Sequence, residues 1–142
     1  MSSNDECKAL HTALIDARRG YEEAVEDSDK PEMTALFRDM IALHDRHHAE
    51  VHSFLTAGGE RPDDSGSFMS TVHKTVIGIR AAVTGLNENA LSSFASGEER
   101  IVDQYDKAIT EAGSSPAAEA LTRQKNELSA KIVEMKRIAA EG

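Results

Sequence analysis

Four of the chain's six histidines fall between positions 44 and 52, in the string HDRHHAEVH, with Asp45, Arg46 and Glu50 among them. Neutral imidazoles ligate transition metals, and an imidazole changes charge near neutral pH. The string therefore offers a metal site, a proton switch or a solvated polar helix face. Helix geometry narrows the choice. At about 100° per residue, His44 and His47 fall within the apolar arc of Met33, Phe37, Met40, Val51 and Leu55. His48 falls near one edge of that arc and Glu50 near the other. His52 lies further out, and Asp45, Arg46 and Ala49 face away.

A second anomaly is Glu98, the centre of a stripe formed by Leu91, Phe94, Ile101, Val102, Tyr105 and Ile109. Glu99 points away and is expected in solvent. A carboxylate at a core position costs several kcal/mol unless it is paired or protonated. Glu98 therefore requires a partner, and His44 or His47 suits if their helices run parallel with matching midpoints. Three readings stay open. The first is a structural polar network. The second is a metal site with His44, His47 and Glu98 as ligands and Glu50 as a further candidate, suited to zinc, iron or manganese. The third is a rotation of the helix that leaves the histidines in water.

Other patterns exclude more than they suggest. A di-iron bundle needs Glu-x-x-His motifs, and none occurs. Asp16, Glu22, Glu23 and Glu26 lie outside the first apolar stripe, and the last helix offers no inward acid. His44…His48 and His11…Asp16 match hemerythrin-like spacings in the wrong helix order. Tyr21 and Tyr105 occupy stripe positions, as core residues with a tied hydroxyl. Lys125 does too, and is expected to snorkel or to meet an acid. His73, in VHKTVIG, lacks the surroundings of a phosphotransfer histidine, which leaves a phosphorelay module as a weaker alternative. Phosphate loops, nucleophile elbows and Cys–His pairs are absent.

The elements that must position these residues read as helices throughout. Leu10, Leu14, Ala17, Tyr21 and Ala24 mark a first helix near 4–27, and the Met33–Leu55 stripe a second that stops at Gly58-Gly59. Phe68 or Met69 through Leu86 marks a shorter third, and Leu91–Ala108 a fourth. Ser115-Pro116 opens a fifth, with Ala118, Leu121, Lys125, Leu128, Ile132, Met135 and Ala139 as its stripe. Short connections make sequence neighbours antiparallel. The four longer helices then run up, down, down, up, with the third as a crossover. The alternative is an up-down bundle of the first four with the fifth packed outside. In both, helices two and four are parallel.

The whole chain of 142 residues suits a single domain, 1–142. A formal charge of −9 gives nucleic acid or an anionic membrane no electrostatic footing. Cys7 is the only cysteine, and no apolar run spans a bilayer or resembles a secretion signal. A cytoplasmic protein is expected.

Asp16, Gly20-Tyr21, Ala24, Leu36-Phe37, Glu50-Val51, Gly58-Gly59, Ser65-Gly66-Ser67, His73, Gly97-Glu98 and Tyr105 recur in an order that resembles the bacterial domain of unknown function 2383 family, over roughly residues 8–112. That family is grouped with ferritin-like four-helix bundles. The resemblance implies that fold and a bacterial, cytoplasmic protein, and it implies no established activity. Glu98 takes the family's Gly-Glu position, His73 its helix-three histidine and Glu50 its helix-two acid. Ala95 stands where an acid is common and Val76 where a tryptophan is. If that acid is a ligand in relatives, a metal site has been lost here.

The expectation is an all-α, ferritin-like bundle with one additional helix, non-enzymatic, of unassigned role and self-associating as a dimer. The alternative is a metal-binding or metal-dependent redox bundle holding iron or zinc at Glu98, His44, His47 and Glu50.

Overall fold

The structure is a computed structural model that describes residues 5–27, 31–62 and 88–141. Four helices make it up: α1 (Asp5–Asp27), α2 (Pro31–Ala57), α3 (Glu88–Ala112) and α4 (Pro116–Glu141). They match the first, second, fourth and fifth helices expected above. The third, near residues 68–86, lies outside the described residues.

Cross-helix contacts give each direction. Arg18 meets Asp45 at 2.7 Å and Lys8 meets Glu60 at 2.8 Å, so α1 and α2 are antiparallel. The α1 start lies against the α3 end, because the Glu6 amide donates to Glu111. Lys125 pairs with Asp106 and Lys136 with Glu99, which runs α4 against α3. The order is up, down, down, up, that of a ferritin-like bundle. α1 packs on α2 and α3, and α4 packs on α3 and α2. The parallel pair α2 and α3 therefore faces across a diagonal, through the core.

Helix ends follow from local chemistry. After α2, Glu60 N–H bonds Leu55 C=O at 2.9 Å and Gly59 N–H bonds Thr56 C=O at 3.0 Å, with Gly59 at φ 87°. This is a Schellman cap, whose left-handed residue favours glycine. Gly113, at φ 64°, ends α3 by the simpler left-handed cap, its N–H on Ile109 C=O at 3.1 Å, and Pro116 opens α4 where its missing N–H costs nothing. A side chain at Gly113 meets no atom within 4 Å, so Gly113→Ala isolates the backbone strain. It should lower stability by about 1 kcal/mol, read as a fall of roughly 3 °C in Tm. The first turn of α1 is satisfied from outside, since Glu111 accepts from both the Glu6 and Cys7 amides.

The inward stripes meet in one core. Leu10, Leu14, Phe37, Met40, Leu91, Leu121, Leu128 and Met135 are fully buried. The α4 stripe lies inside the bundle, so the packed-outside alternative is corrected: it closes the fourth corner. Among the described residues, Val133 is the exposed large apolar side chain, at 67%.

Candidate functional site

Near mid-bundle, polar groups enter the core in three places. The first is Glu98, 2% exposed. Its Oε1 accepts from the Tyr21 hydroxyl at 2.8 Å and meets His44 Nε2 at 2.9 Å. The expected contact between Glu98 and a helix-two histidine is thus present, and it spans the diagonal. Tyr21 stacks on Phe94 and lies against Phe37, an aromatic wall beside the pair. Burial, with the Glu98 charge added, holds the Tyr21 hydroxyl well above its usual pKa, so it enters as a donor. Two buried atoms here, Glu98 Oε2 and His44 Nδ1, have no hydrogen-bond partner among the described residues. Ala95, where relatives were expected to carry an acid, is 1% exposed, one turn before Glu98.

The second place is the seam of α2 and α4. His47 is buried, but its Nε2 meets Glu127 Oε1 at 2.9 Å rather than Glu98. Its Nδ1 lies 3.2 Å from the Tyr105 hydroxyl, which donates to Gln124 Oε1 at 2.9 Å. Gln124 in turn donates to Glu50 at 2.6 Å, and Arg123 pairs with the same Glu50 oxygen. The hydrogen bond from Arg123 leads the causes that hold Glu50 below its usual pKa. Burial lowers His47 against the pull of Glu127. Arg46, Ser53, Arg123 and Glu127 line an open groove of about 550 Å³ above this chain. The four residues expected to share a metal are therefore divided, Glu98 and His44 in the core, His47 and Glu50 on this seam. The expectation that α4 offers no inward acid is corrected by Glu127. Its side chain is 44% exposed yet reaches inward to a buried imidazole.

The third place is the seam of α1 and α2. His11, 1% exposed on α1, faces His48 and His52, both half-buried one turn apart on α2. One ligand atom from each lies within 4.8 Å of the others. His11 Nε2 and His52 Nδ1 are 3.2 Å apart. The His11 ring centroid is 4.4 Å from that of His48 and 5.3 Å from that of His52. In a tetrahedral zinc site with Zn–N of 2.0–2.1 Å, ligand nitrogens stand about 3.3 Å apart. The His11–His52 spacing fits that edge, and the His48 donor lies within 4.8 Å of both. Among the described residues this is the group of three metal-capable side chains whose donors gather closely enough for one ion.

Two signals could have found the triad. His48 and His52 are spaced i, i+4, on one helix face. The register is the other: Arg18 meets Asp45, and seven residues further along each helix His11 meets His52. The remaining expectations divide. Tyr21 and Tyr105 are buried with tied hydroxyls, and Lys125 reaches Asp106 at 2.5 Å. His73 lies outside the described residues. Cys7 is buried, and burial with nearby Glu111 pushes its thiol up to about 11, which leaves it unreactive. No helix among the described residues is long and apolar enough to cross a membrane.

A family model described as a domain of unknown function (DUF2383) matches residues 4–111. No curated protein and no solved structure matches the chain.

Proposed function

The chain belongs to the DUF2383 family, whose description names no activity, and from that premise we propose that it is a metal-binding helical bundle with His11, His48 and His52 as ligands. One observation carries the reading: three imidazoles from two antiparallel helices bring donor atoms within 4.8 Å of one another. A lone histidine on a helix face is ordinary, whereas three converging rings crowd donors that a cation would draw together. The half-buried positions of His48 and His52 give an ion a route from solvent. The four helices bury a large apolar cluster of their own, so metal removal should leave the fold standing, unlike a zinc finger.

The test is equilibrium titration of untagged protein with zinc, followed by a chromophoric competitor. One ion per chain at micromolar concentration or tighter is expected. Absence of saturable binding would sink the reading.

A second reading keeps the ion at the inner pair, with Glu98 and His44 as ligands, while His47 and Glu50 stay engaged on the neighbouring seam. The buried atoms Glu98 Oε2 and His44 Nδ1, without a hydrogen-bond partner among the described residues, favour it. Under that reading Glu98→Gln loses bound metal, whereas under the first it does not. Iron and zinc are both open to it.

Self-association as a dimer and a cytoplasmic location belong to the same proposal. Sedimentation at micromolar protein checks the first: a monomer counts against it.

A further inference from the structure

We propose that the His11–His48–His52 site selects zinc and copper(II) and discriminates against iron(II) and manganese(II). This rests on the metal-binding reading above and adds the identity of the ion.

The donor set carries the inference. All three side chains are imidazoles, and no carboxylate or thiolate of the described residues joins them within 4.8 Å. Nitrogen-only sites favour zinc and copper, while manganese takes carboxylate and carbonyl oxygen, and the open iron(II) site pairs two histidines with one carboxylate. The intrinsic order of affinity also rises from manganese through iron to copper, and replacing nitrogen donors with carboxylate oxygen narrows the gap without reversing the order. The chain has no shortage of such ligands, with 25 acidic residues. Those nearest in sequence are directed elsewhere: Asp45 pairs with Arg18, and Glu50 with Arg123 and Gln124. Within that 4.8 Å, the described residues offer the cation imidazole nitrogen.

The ligand positions make this testable by exchange of one donor. His52 is half-buried and contributes through Nδ1, on the short side of the ring. His52→Glu replaces that nitrogen with a carboxylate oxygen and creates a two-histidine, one-carboxylate set at a position where a charge reaches water.

The experiment is a competition series on the full, untagged chain with zinc, copper(II), manganese(II) and, under anaerobic conditions, iron(II). Zinc should bind at least ~100-fold more tightly than manganese. His52→Glu should narrow that ratio by about tenfold or more, with helix content unchanged by circular dichroism. If that variant loses helix content, His48→Glu supplies the same exchange one turn away. Iron(II) or manganese(II) binding as tightly as zinc would overturn the inference, as would a ratio that the carboxylate variants leave unchanged. Failure of every ion to bind would overturn the metal-binding reading and this inference together, whereas unselective binding overturns this inference alone.

Discussion

Glu98→Leu should cost the fold about 2–6 kcal/mol, from two buried donors that each lose about 1–3 kcal/mol without an acceptor. The Tyr21 hydroxyl and His44 Nε2 both converge on Glu98 Oε1, and neither has a route to water from the centre of the bundle. Leucine fills the space and removes the acceptor, so the loss is electrostatic rather than a cavity effect. Glu98→Gln keeps a carbonyl oxygen at the same place and should change stability little. Urea unfolding of the two variants compares them directly. Equal losses would show that volume, not hydrogen bonding, governs the position. Adding Tyr21→Phe to the leucine variant should recover part of the loss, because one of the two stranded donors disappears.

The second large effect concerns the ion. His52→Gln should lower zinc affinity by about a hundredfold or more, since loss of even an outer-shell partner costs 10–100-fold. His52 is half-buried, so stability should change little, and a fall in affinity then reports on ligation alone. Glu98→Gln is the control and should leave zinc affinity unchanged. A reversed pattern, with loss at Glu98 and none at His52, would move the ion to the core pair.

Much of the bundle is legible in the sequence because burial repeats with the helical period. The stripes through Phe37, Tyr105 and Leu128 mark the inward face of each helix, and these residues are fully buried. Gly58-Gly59 and Ser115-Pro116 announce a stop and a start that backbone geometry requires. Glu98 is legible for the same reason, as an acid where the period demands an apolar residue. The triad is harder to see. A bundle helix has two neighbours, so its protected surface extends past the arc aimed at the axis, toward each flanking helix. His48 and His52 point along that flank at α1, and a wheel centred on Phe37 and Val51 places His48 at the edge and His52 beyond it. Their partner comes from α1, so only the antiparallel register reveals it. Glu127 escaped for another reason: a wheel locates the start of a side chain, and three methylene-length bonds carry its carboxylate to His47.

X-ray absorption at the zinc edge, on untagged protein loaded with one equivalent of zinc, tests the central claim most directly. Three imidazole nitrogens at about 2.0–2.1 Å, with the outer-shell scattering of their rings, are predicted, and in His52→Gln the imidazole count should fall by one. A shell of oxygens without imidazole scattering, or one that His52→Gln leaves unchanged, would contradict a metal held by His11, His48 and His52.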